Sequence, residues 1–158
     1  MQFLPMRTGR VPCSSAAQQD FMEQTLAILA SMMKQAACDA TLYTAEAKRT
    51  VVLPRDIELA LKRLVLPGSA YWQREDLSED TKRIRSDLFE SDASSGSESD
   101  ESWIVEVADE VWTETSQSAL TREMNAAPSK FDEWQPDIPF MQALKNAVTS
   151  ATQSFSTS

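Results

Sequence analysis

Residues 45–63 read AEAKRTVVLPRDIELALKR, and the organisation of the chain turns on this stretch. Its second half is a short helix. Pro54 stands at a first helical position, where a missing N–H is harmless because the first turn leaves that donor unpaired anyway. Asp56 follows in the first turn, where the helix dipole favours a carboxylate. Ile57, Ala60, Leu61 and Leu64 recur at helical spacing and give one apolar face. Leu66, Pro67 and Gly68 read as the stop. Ahead of the helix, Lys48, Arg49, Thr50, Val51 and Val52 set two cations before a short β-branched run, the pattern of an extended loop.

Upstream, Ser15 with Gln18 three residues on reads as a capping-box start, and no glycine or proline interrupts residues 15–47. Met22, Leu26, Leu29, Met33, Ala36, Ala40, Tyr43 and Ala47 alternate spacings of four and three, which makes one continuous helical stripe. Phe21, Ile28, Met32 and Leu42 add a second line beside it. A helix of about 30 residues runs ~45 Å, too long for the core of a small compact domain. The stripe from Met22 to Tyr43 is therefore expected to be a pairing face covered by a second chain. A plain helical-bundle core is the competing expectation.

Long helix, basic extended loop, short helix: residues 45–63 closely resemble the second loop and third helix of core histones, and of histone three above all. The matching residues are Ala47, Lys48, Arg49, Pro54, Asp56, Ile57, Leu59 and Ala60. Ser14, Ser15 and Ala16 resemble the start of the family's long second helix, and Arg10 lies near its first-loop arginine. The resemblance covers residues 10–65. It implies an all-α histone fold in which two chains cross their long helices, here with a histone four-like partner. It implies that Lys48, Arg49, Thr50 and Val51 meet DNA phosphates and that Arg10 reaches the minor groove, contacts that position a protein without reading sequence. It also implies a structural bridge between Arg49 and Asp56. Glu46 and Asp56 align with the contact between two copies of histone three, where like charges are expected to oppose assembly beyond the dimer. Histone-fold subunits of general transcription factors and kinetochores are similar at this level. They leave an interaction subunit with little DNA packaging as the alternative.

The chain departs from the family at both ends. Residues 1–14 offer Phe3, Leu4 and Met6 but few cations, so the basic tail is expected to be missing and the first helix truncated. The net charge of −9 is unevenly spread: residues 1–74 carry nine Lys/Arg against six Asp/Glu, and residues 75–158 carry six against eighteen. Such asymmetry points to two different partners. Residues 90–102, ESDASSGSESDES, have almost no apolar side chain and are expected to form a disordered acidic linker. Ser95 and Ser97 each have an acid three residues on, a pattern suited to phosphorylation by acid-directed kinases. Beyond it, Trp103, Ile104, Val105, Val107, Val111 and Trp112 are mixed with acids, and Phe131, Trp134, Ile138, Phe140 and Met141 follow. Two readings stand open for residues 103–158. One resembles the acidic, aromatic segments by which histone chaperones hold basic histone surfaces. The other is a helical add-on that packs on the fold. Residues 126–137, with Pro128 and Pro136, read as loop, and residues 139–151 as a short amphipathic helix.

The segments expected are thus 1–15, the histone-fold core 16–66, a connection 67–89, the linker 90–102 and the acidic extension 103–158. Histidine is absent, which removes the commonest general base and most zinc sites. Two cysteines make neither a metal cluster nor a disulfide framework, and three glycines make no phosphate-cradling loop. No enzyme activity, metal or cofactor is expected, and no apolar run approaches the ~20 residues of a membrane span. The expected role is architectural: pairing with another histone-fold chain and compacting DNA without sequence preference. Its place is the nucleus, at chromatin, or a viral DNA compartment if the source is a virus.

Overall fold

The computed structural model describes residues 15–90 and 110–156, with side chains to residue 154. Arg10, Ser95, Ser97, Trp103, Ile104, Val105 and Val107 lie outside them, as does nearly all of the acidic linker. Among the described residues all regular structure is helical: α1 (Ser15–Glu46), α2 (Pro54–Val65), a 3-10 turn (Ala70–Gln73), α3 (Leu77–Phe89), α4 (Ala119–Glu133) and α5 (Pro139–Ser156).

The 32 residues of α1 give it a length of ~48 Å. It begins at Ser15, the first described residue. Its end is a Schellman turn. The Lys48 N–H donates to the Ala45 carbonyl at 3.0 Å and the Arg49 N–H to the Thr44 carbonyl at 3.0 Å. The residue that turns left-handed to allow this is Lys48, with φ of 60° where glycine is usual. At the head of α2 no side chain caps from Leu53. Instead the Asp56 carboxylate reaches back and accepts the Leu53 N–H at 2.8 Å.

α2 is the centre of the packing. It lies along α1 on one side and carries α4 and α5 on the other, while α3 returns along α1. Tyr43, Met32, Leu59, Leu61, Val65, Met124, Leu144 and Val148 are the large fully buried apolar side chains. Cross-links sew the layers together: Ser31 donates to Asp80 of α3 at 3.1 Å, and Arg63 bridges Asp39 of α1 at 3.2 Å and Glu123 of α4 at 2.9 Å. Arg85 of α3 pairs with Asp20 and with Glu23, the latter at 3.0 Å.

One sequence reading is corrected in part. Of residues 126–137, read as loop, 126–133 are helix, because α4 runs through Pro128 as far as Glu133, and 134–137 are loop. An interior proline costs a helix ~3 kcal/mol, but Leu120, Met124, Ala127 and Phe131 recur at helical spacing, and the last three are buried. The connection 67–89 holds a full helix, α3, with Glu79 and Asp80 in its first turn. Only Thr81 is buried on it, so its apolar periodicity is faint.

The stripe on α1 divides. Ala36, Ala40 and Tyr43 are fully buried within this chain, as is Met32 of the neighbouring line, and Ile28 of that line is buried. A second chain is thus not required to cover that half, because α2 to α5 already do. Met22 (53%), Leu26 (42%) and Met33 (37%) remain exposed, and Leu29 is half-buried.

Tyr43 joins the two parts of the chain. Its hydroxyl donates to Asn125 Oδ1 of α4 at 2.6 Å and accepts the Thr115 N–H at 3.2 Å. Tyr43→Phe should destabilise the fold by ~1–3 kcal/mol, because it strands a buried N–H and an amide oxygen. Urea unfolding should show the loss as a lower midpoint with an unchanged slope.

Candidate nucleic-acid interface

The loop between α1 and α2 is built on one buried carboxylate. Asp56 is fully buried, and Arg49 grips both its oxygens, Nη1 at 2.8 Å and Nη2 at 2.6 Å. The Thr44 hydroxyl adds a donor at 3.1 Å, the Leu53 N–H another at 2.8 Å, and the Trp112 indole Nε1 a third at 3.1 Å. Arg49 also donates to the Val51 carbonyl at 3.2 Å. A bidentate guanidinium–carboxylate pair is directional, so it holds the loop in one shape.

With Arg49 pulled inward, the outer edge of the loop is backbone. There the Thr50 N–H donates to both oxygens of Glu110, at 3.1 and 3.0 Å, and the Val51 N–H to one of them at 3.1 Å. The Thr50 hydroxyl completes the grip at 2.5 Å. This hydroxyl foremost, then the two amides and the nearby Arg49 charge, hold the Glu110 carboxyl below its ordinary range. Successive N–H groups that converge on one oxyanion form the kind of concavity that takes phosphate as readily as carboxylate.

Glu110 opens an extended strap, residues 110–118, that runs from the loop to α4. Trp112 stacks on Tyr43 with ring centroids 6.2 Å apart, and the Arg55 guanidinium lies 5.8 Å from the centre of its ring. Thr115 donates from its hydroxyl to Glu46 at 2.9 Å, and the Gln117 N–H reaches the same carboxylate at 3.3 Å. Ser118 then caps α4 by accepting the Thr121 N–H. Glu46, the last residue of α1, thereby meets the positive end of α4. The Thr121 hydroxyl above all, then those of Ser118 and Thr115, draw its carboxyl down to about 2.

The residues expected to meet phosphate are placed unevenly. Lys48 and Thr50 are exposed and Val51 is half-buried. Arg49 is turned inward, its side chain 5% exposed and its Nη atoms held by Asp56 and the Val51 carbonyl. Its hydrogen bonds serve the loop's shape, and its field alone reaches the outer face. Glu46 and Asp56 do not stand as bare like charges at a surface, since the strap occupies one and Arg49 neutralises the other. Among the described residues, the later aromatics pack on the chain itself. Phe131 is buried, and Trp112 and Trp134 are half-buried on the chain's own helices. Glu110, Trp112 and Thr115 carry no local signature for these roles, because their partners lie dozens of residues away in the chain.

Among the described residues no group of His, Cys, Asp and Glu is arranged to hold a metal ion, and no helix is long and apolar enough to cross a membrane. No family model matches the chain, and searches of curated proteins and of solved structures find no match either.

Breaking the buried pair from one side should be severe. Asp56→Ala leaves the Arg49 charge uncompensated and should cost ~3–5 kcal/mol, whereas the double replacement Asp56→Ala with Arg49→Met should cost less than the sum of the two singles. Thermal and urea unfolding of the three variants checks this. Acid should act at Glu46. Its folded value of about 2 lies below the ordinary 4.5, so its contribution is full above pH 4.5 and is lost as pH falls towards 2. The Thr115 and Gln117 amide resonances should shift over that window, and Glu46→Gln should abolish the Glu46 contribution to the shift.

Proposed function

We propose that this chain is a histone-fold architectural protein that pairs with a second histone-fold chain and binds duplex DNA through phosphates, without reading sequence. The observation that carries this reading is the outer edge of the α1–α2 loop. Two consecutive amides and a hydroxyl, from Thr50 and Val51, converge there on an oxyanion beside exposed Lys48. Lys48 supports it further. Its left-handed backbone would be easier for glycine, so a cation is kept at a position where it strains the chain. The exposed line Met22, Leu26 and Met33, with Leu29 beside it, is the face on which the partner would pack. A nuclear, chromatin-bound location, or a viral DNA compartment for a viral source, follows from this role.

A second reading rests on that same apolar line. A histone-fold interaction subunit of the transcription-factor or kinetochore type would use it to hold a partner and would make little use of the loop.

Lys48→Gly separates the two. It relieves the left-handed backbone and should raise stability by up to ~1 kcal/mol. In the same protein it should weaken duplex binding alike for all sequences and reduce the salt dependence by about one phosphate contact. Anisotropy titrations of a labelled duplex at several salt concentrations measure this. A stabilised variant with unaltered DNA affinity would favour the interaction subunit.

A further inference from the structure

The oxyanion concavity at Thr50 and Val51 is already filled by the chain itself. We infer that Glu110 is a built-in stand-in for a phosphodiester group, so that nucleic acid reaches this loop only by displacing it. The inference rests on the DNA-binding reading above and adds to it a competitor within the same chain.

The geometry supports a stand-in rather than a chance contact. Both oxygens of Glu110 are held, and among the described residues the donors that hold them are on the loop edge: the Thr50 amide, the Val51 amide and the Thr50 hydroxyl. A phosphodiester offers two unesterified oxygens that can meet the same donors. Behind the edge, Arg49 Nε is buried with no hydrogen-bond partner. The Arg49 charge reaches the edge as well, since it helps to hold the Glu110 carboxyl below its ordinary range. Exposed Lys48 precedes Thr50 by two residues, and Trp112, two residues after Glu110, is clamped by Tyr43, Asp56 and Arg55. Glu110 is thus delivered to the loop by a fixed anchor. The grip is also separable from the packing, since the described hydrogen bonds of Glu110 all go to the loop edge while Trp112 carries the anchor.

The test uses the full chain, its Glu110→Ala and Glu110→Gln variants, and Glu114→Gln as a control. Glu114 is an exposed acid on the same strap, so its replacement removes the same charge. Labelled duplex DNA should bind Glu110→Ala about tenfold tighter than the unaltered chain at low salt, with a salt slope steeper by about one. Glu110→Gln should fall between them, and should Glu110→Ala prove misfolded by thermal melting, this near-isosteric variant carries the comparison. Glu114→Gln should stay within about twofold of the unaltered chain, as expected for an exposed charge screened by solvent and salt. Equal gains from Glu114→Gln and Glu110→Gln would overturn the inference, because the effect would then be net charge alone. So would unchanged DNA affinity in folded Glu110 variants of a chain that does bind DNA. Inorganic phosphate is the second probe, read at the Thr50 and Val51 amide resonances. It should shift them in Glu110→Ala and not in the unaltered chain. That result without any duplex binding would uphold the self-filled site and overturn the DNA reading beneath it. Amides unmoved by phosphate in folded Glu110→Ala would sink the site itself.

Discussion

The Asp56 carboxylate is the point on which the rest of the structure depends. It is fully buried, and its donors come from the end of α1 (Thr44), the loop (Arg49), the head of α2 (Leu53) and the strap (Trp112). Burying a charge costs several kcal/mol unless it is paired and hydrogen-bonded, and here each oxygen has more than one donor. The result is less a source of stability than a specification. Only one arrangement of loop, helix and strap satisfies the carboxylate, so the loop edge presents its amides in one geometry.

That constraint explains how a helix of α1's length is managed. Near its C-terminal end α1 is pinned by Thr44 and Arg49 to Asp56 and by Tyr43 to α4, and there its stripe is sealed by the chain itself. Towards its start the covering elements are α3 and the beginning of α5, where Phe21 meets Phe140 edge-on at 6.3 Å. They leave Met22, Leu26 and Met33 in solvent. Burial of an apolar side chain contributes roughly 1.5–3 kcal/mol, so a line of exposed Met and Leu is a free-energy reserve that a partner can draw on without disturbing the core.

The first half of the fold was legible because its signals are local. Alternating spacings of four and three from Met22 to Ala47 specify α1, and Pro54 and Asp56 specify the head of α2, whereas the Arg49–Asp56 bridge came from the histone resemblance and not from spacing. The second half was harder for identifiable reasons. α3 buries little, so its apolar rhythm is faint, and Pro128 masked the spacing of Leu120, Met124, Ala127 and Phe131 in α4. The strap could not be read at all. Glu110, Trp112 and Thr115 act on Thr50, Asp56 and Glu46, and no spacing within the strap announces a partner so far away. The acidic composition of the second half was visible, but composition alone does not say which acid sits on which donor.

The strap also sets what kind of ligand can compete for the loop. A carboxylate anchored two residues from a clamped tryptophan has an effective concentration in the millimolar range or above at its own site. A single small anion at physiological level does not displace it. Duplex DNA is different in kind, because it presents a phosphate roughly every 3.4 Å along each strand and gains from several cations at once, releasing counterions at each. On the proposed reading, exposed Lys48, two residues before Thr50 in the chain, would be engaged first, and one phosphate would then exchange for the carboxylate. On that reading self-occupation would raise the threshold for binding without closing the surface. It would discriminate by valency, turning isolated anions away and admitting a polymer of phosphates.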